Sequence, residues 1–167
     1  MAHQFSVEPQ ALKRRYSVYV VIAEGNGVIS LYVGKTGDNR EGCNPLISRC
    51  GNHFSYNKIP SQVRNKLEAH EDWSYTYVFD HFDEYPEEED ARRTCIDRIN
   101  EMERWVNSKM QELAKNHKQV SVLNLYVGSG YLKKAEIARR SEFRTEDSKA
   151  KVQGIIDGVK AVLDRIC

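Results

Sequence analysis

Apolar and polar positions along the chain predict a mixture of strands and helices. Residues 17–23 are rich in Val, Ile and Tyr, with an unbroken apolar run over 18–23, and read as a buried strand. Glu24-Gly25-Asn26-Gly27 is a tight-turn signal, because Gly and Asn accept positive φ, and residues 28–33 read as the returning strand of a hairpin. Residues 34–44, with Gly34, Gly37 and Gly42, read as a loop. Residues 45–54 suit a short helix, with Asn44 as N-cap and Pro45 in the first helical position. A second helix is expected over 61–69, and the aromatic, β-branched stretch 73–82 reads as a third strand.

Pro86 is expected to open a long helix, with Glu87, Glu88, Glu89 and Asp90 complementing the dipole of its first turn. Its apolar face carries Ile96, Ile99, Val106, Met110 and Leu113 at three- and four-residue steps, and it ends near Asn116. Residues 120–127 read as a fourth strand, closed by Gly128-Ser129-Gly130. From 131 to 167 the pattern is helical, with Ile155, Ile156, Val159, Val162, Leu163 and Ile166 spaced for packing. The expected class is α+β: a small, mostly antiparallel β-sheet flanked by helices over 16–130, an N-terminal extension over 1–15, and a helical C-terminal extension over 131–167.

Composition narrows the function classes. With 40% apolar residues over 167 positions, one ordinary core is expected. The apolar run over 18–23 is far short of the roughly 20 residues of a membrane helix. Residues Lys13, Arg14 and Arg15 follow a polar stretch with no apolar segment of the secretory kind, so a soluble cytoplasmic protein is expected. Cys43, Cys50, Cys95 and Cys167 are too sparse for a disulfide framework, and Cys43, Cys50 and His53 match no usual zinc spacing.

Net charge is only +1, but its distribution is uneven. Residues 80–90 hold seven acids (Asp80, Asp83, Glu84, Glu87, Glu88, Glu89, Asp90) and no Lys or Arg. Residues 35–66 hold six bases against two acids, and 131–151 seven against four, which suits a phosphate backbone as well as it suits ordinary solvated faces.

Several polar residues occupy positions where chemistry is plausible. Tyr19 and Tyr32 lie in the two strands of one hairpin, where their phenols can share a sheet face. Arg49 and His53, four apart on a helix, share a side, and an Arg there can grip a phosphate bidentately. Glu103 falls within the apolar face of its helix, where a carboxylate needs a partner or a metal. Glu101, with Asp97, Arg98, Arg104 and Trp105 as helical neighbours, reads as solvated. Gly34-Lys35-Thr36 is not a P-loop, because the upstream Gly that motif needs is Ile29.

Taken in order, these pieces resemble the GIY-YIG nuclease superfamily, which includes phage homing endonucleases, a DNA-repair incision domain and some restriction enzymes. Ser17-Val18-Tyr19 stands for Gly-Ile-Tyr, and Tyr32-Val33-Gly34 stands for Tyr-Ile-Gly. Arg49 and His53 match an Arg-x-x-x-His helix, Glu103 the metal-binding Glu, and Asn124 the Asn of the last strand. Arg40 and Glu101 are the alternatives to Arg49 and Glu103.

The resemblance implies hydrolysis of DNA phosphodiester bonds with one Mg²⁺ or Mn²⁺ on Glu103, RNA staying open as a substrate. Tyr19 would orient or deprotonate the attacking water, helped to ionise by a cationic His53 or Lys35. Arg49 would meet the phosphate, Tyr32 would position it, and Gly34, Lys35 and Asn124 would support the site. Outside the resemblance, Lys133, Lys134, Arg139, Arg140 and Arg144, with Lys35 and Arg40, are candidate nucleic-acid contacts, and the stripe 155–166 could instead serve a homodimer. The alternative function is a fold of this kind that binds nucleic acid or a protein without catalysis.

Overall fold

A computed structural model describes residues 2–37, 42–56, 63–124 and 132–166. Strand β1 (Arg15–Gly25) and strand β2 (Val28–Lys35) form the expected hairpin, paired antiparallel and turned at Asn26 and Gly27, both with positive φ. Strand β3 (Ser74–Glu84) pairs antiparallel with the other edge of β1, and the short strand β4 (Val120–Val122) pairs parallel with β2. The order β3-β1-β2-β4 makes a mixed four-stranded sheet flanked by helices, an α+β architecture.

The apolar run over 18–23 is continuous because β1 is central and buried on both faces. Tyr16, Val18, Val20 and Ile22 point into the larger core, where helix α2 (Glu89–Lys115) adds Ile99, Met102, Val106 and Met110. Helix α4 (Glu146–Ile166) closes that core with Val152, Ile155, Val159 and Leu163, which turns the apolar stripe inward. Tyr19, Val21 and Ala23 point the opposite way, into a smaller core with Leu46 of helix α1 (Leu46–Phe54), Val63 and Leu67. The candidate chemistry sits against this second face. Burying Val, Ile or Leu contributes roughly 1.5–3 kcal/mol each, so both cores press on β1.

Several expected boundaries move. Pro45, not Asn44, is the N-cap of α1, with no side-chain cap bond. Helix α2 begins at Glu89, so only Glu89 and Asp90 of the four acids lie in its first turn. In place of the helix over 61–69, the described residues form a 3₁₀ turn at Arg64–Lys66, and Ala69 takes a left-handed φ of 49°. Only Val63 and Leu67 there reach a core, too little apolar periodicity to hold a longer helix on the sheet. The C-terminal segment divides into α3 (Lys134–Ser141) and α4, and Thr145 Oγ1 accepts the Ser148 N–H at 3.2 Å to cap α4. The expected strand residues 125–127 and the closing Gly128-Ser129-Gly130 lie outside the described residues. Among the described residues no helix is long and apolar enough to cross a membrane.

Candidate active site

Register decides which side chains meet. Tyr19 pairs with Gly34 and Val21 with Tyr32, so both phenols lie on the α1 face of the hairpin. Gly34 leaves room for the Tyr19 ring to lie across its strand: a Cβ there would come within 2.4 Å of Tyr19 Cζ. Leu46 anchors α1 to this face, which brings His53 from the next turns over both rings. Tyr19 and His53 hydrogen-bond, phenol oxygen to Nε2, at 2.8 Å. The Tyr32 and His53 rings meet edge-on with centroids 5.1 Å apart.

Lys35 ends β2 opposite Val18 and shares the parity of Val33, both of which face the larger core. Its ammonium therefore leaves on the α2 side, where it forms an ion pair with the Glu103 carboxylate. Arg49 ties the two sides together by donating its Nε–H to the Lys35 carbonyl at 3.2 Å. Asn124 braces the outer edge of β2: its Oδ1 accepts the Val33 N–H at 2.8 Å and its Nδ2 donates to the Val33 carbonyl at 2.9 Å. Residues from four distant stretches thus surround the end of β2.

Burial sets the protonation states. Tyr19 is 2% exposed, and desolvation, with Tyr32 next, pushes its phenol well above the ordinary value. Arg49 pulls it down and Glu103 pushes it up, so both charges are felt at the phenol oxygen, and burial wins. Desolvation first and Arg49 second lower the His53 imidazole to about 4. The expected cationic His53 is therefore corrected: at neutral pH the ring is uncharged, and its Nε2 can accept the proton of a neutral Tyr19.

Other expected residues are placed differently. Glu101 is not solvated but 5% exposed, paired with Arg144 at 2.7 Å and with Arg104 at 4.0 Å. A turn on α2 and a segment 43 residues away close over it, which helical neighbours alone do not reveal. Arg139 pairs with Asp97 of α2 at 2.8 Å, and Arg140, 9% exposed, reaches the same Asp97 at 3.7 Å while pairing with Glu136 of its own helix at 2.8 Å, so both bind α3 to α2. Lys133 and Lys134 are exposed at the start of α3, and Arg40 lies outside the described residues. Cys43 belongs to the larger core whereas Cys50 and His53 line the smaller one. No group of three His, Cys, Asp or Glu able to hold a metal exists among the described residues.

Two neighbours escape sequence reasoning. Tyr77, opposite Val21 on β3, packs at a tilt beside Tyr19 and His53 with centroids 6.0 and 6.4 Å away; its strand parity is the signal that places it there. Lys66 stands 5.7 Å from the Tyr32 ring centroid, and no spacing in the sequence marks it.

No family model, curated protein or solved structure matches the chain.

Proposed function

We propose that this chain is a GIY-YIG-type endonuclease that hydrolyses DNA phosphodiester bonds, in a restriction, defence or repair-type role. The observation that supports this best is the Tyr19–His53 hydrogen bond, 2.8 Å long, within the fields of Arg49 and Glu103. A phenol held protonated cannot act alone as a base at neutral pH. It can accept a proton from water only while passing its own to a neutral imidazole. The attacking water gives its proton to Tyr19 Oη, Tyr19 gives its own to His53 Nε2, and the water oxygen bonds to phosphorus. The bond from phosphorus to the 3′ oxygen breaks, and that oxygen takes a proton from solvent. Arg49 meets the non-bridging oxygens as charge builds on them.

The donor set fits a hard divalent cation. Glu103 offers a single carboxylate, and Mg²⁺ or Mn²⁺ binds through one or two carboxylates with phosphate oxygens and several retained waters. When bound, such an ion supplies charge neutralisation at the phosphate and the leaving oxygen. Lys35 keeps the Glu103 carboxylate compensated and aimed along the end of β2.

Supercoiled plasmid incubated with Mg²⁺ or Mn²⁺ tests the reading. Wild-type protein is expected to nick it, with Arg49→Ala and Glu103→Ala each slower by on the order of 100-fold in protein that still folds, Glu103→Ala melting lower because it strands the Lys35 ammonium. Near-wild-type nicking by Glu103→Ala refutes the metal assignment. The second reading, a binding module without catalysis, draws on the engagement of Glu103 by Lys35. Metal-independent DNA binding without nicking by the wild type selects it.

A further inference from the structure

Most basic side chains near the site already hold a carboxylate: Lys35 has Glu103, Arg15 has Glu84 and Arg98 has Asp83. Lys66 differs. It ends the 3₁₀ turn Arg64–Lys66, whose flanks Val63 and Leu67 are buried in the smaller core, so its backbone is pinned to the α1 face of the sheet. Its Nζ donates to the Leu123 carbonyl at 3.0 Å and stands over the Tyr32 ring. No carboxylate pairs with it among the described residues, and the flanking stretches 57–62 and 125–131 contain no Asp or Glu in sequence.

One carbonyl satisfies one of three ammonium donors, and an ammonium partly removed from water needs a counter-charge. Burial accordingly lowers the Lys66 value. The residue it bonds precedes Asn124, which clamps β2 beside Gly34, and the ring it covers contacts His53. Lys66 therefore stands on the Asn124 side of the site, and Arg49 reaches the site from α1.

We propose that Lys66 is a phosphate ligand, holding a backbone phosphate of the bound DNA strand next to the one that Arg49 meets. This rests on the nuclease reading of the site. Holding a phosphate other than the one Arg49 meets calls for a phosphodiester chain longer than one linkage. Tyr32, between Lys66 and His53, then separates the gripped phosphate from the reacting one.

Binding of a fluorescent DNA duplex, measured in EDTA across a salt series, tests the assignment without cleavage. Lys66→Gln keeps an N–H donor for Leu123 and removes the charge. It is expected to make the slope of log K against log salt shallower by about 0.9 and to weaken binding roughly 8-fold near 0.1 M salt. Lys66→Arg is expected to restore the wild-type slope. Lys66→Met is the second neutral variant, used if Lys66→Gln melts well below the wild type. A wild-type slope in a folded neutral variant, while Arg49→Ala flattens it, reduces Lys66 to a brace for Leu123 and overturns the proposal. Wild-type protein that shows no salt-dependent DNA binding overturns the nuclease reading, and the Lys66 assignment with it.

Discussion

Gly34→Ala isolates the contact that seats the candidate catalytic phenol. An added Cβ would lie 2.4 Å from Tyr19 Cζ and 2.5 Å from its oxygen. Ordinary carbon–carbon contact is about 3.5–4.0 Å, so the overlap is about 1 Å. The ring has little room to yield, because Tyr19 is 2% exposed and flanked by His53 and Tyr77. Overpacking of this kind costs roughly 1–3 kcal/mol, and loss of the Tyr19–His53 hydrogen bond adds about 1. Replacing a strand Gly returns about 0.5–1 kcal/mol of backbone entropy. A net loss of about 2 kcal/mol is expected, lowering the melting temperature by roughly 4–8 °C in a domain of this size.

Urea unfolding in a double-mutant cycle reads the cause directly. In a Tyr19→Ala background, Gly34→Ala is expected to be neutral or slightly stabilising, a coupling of about 2 kcal/mol. In a Tyr19→Phe background only the steric part, about 1 kcal/mol, is expected, since the ring carbon that collides is still there but the hydrogen bond to His53 is already gone. Equal costs in all three backgrounds refute the clash. Plasmid nicking by Gly34→Ala is expected to fall about 100-fold, because a displacement near 1 Å is enough to misplace a catalytic group.

Two further outcomes are expected. Arg144→Ala leaves the buried Glu101 carboxylate with Arg104 at 4.0 Å as its remaining ion partner, and should cost about 2–3 kcal/mol by urea unfolding after discounting for the half-exposed Arg144; a loss below about 1 kcal/mol contradicts it. His53 has a folded value near 4 and an ordinary value of 6.5, so its contribution is complete above pH 6.5 and is lost as pH falls toward 4. Between pH 7 and pH 5 the wild type should therefore lose about 2 kcal/mol more than His53→Asn in parallel urea unfolding, and equal losses would place the charge change elsewhere; His81, also lowered chiefly by burial, acts in the same direction in both proteins.

The elements built on local signals were legible in the chain. The hairpin of β1 and β2 follows from apolar runs around Asn26-Gly27, and α2 and α4 follow from stripes at helical spacing, because a turn or an amphipathic face is encoded within a few neighbouring residues. Strand parity also placed Tyr19 and Tyr32 on one face, and helical spacing placed Arg49 with His53. The meeting of those two pairs was an expectation drawn from resemblance, not from periodicity.

Long-range packing decided the rest. A continuous apolar strand does not say which parity faces which core, and the parallel pairing of β4 with β2 joins segments about 90 residues apart. Glu101 and Glu103 lie within one turn of α2, yet Arg144 buries the first and Lys35 engages the second. The protonation of His53 and the placement of Lys66 over Tyr32 depend on what surrounds them in space. Charge states and ion partners are set by solvent exclusion and by distances across the fold, which residue order alone does not contain.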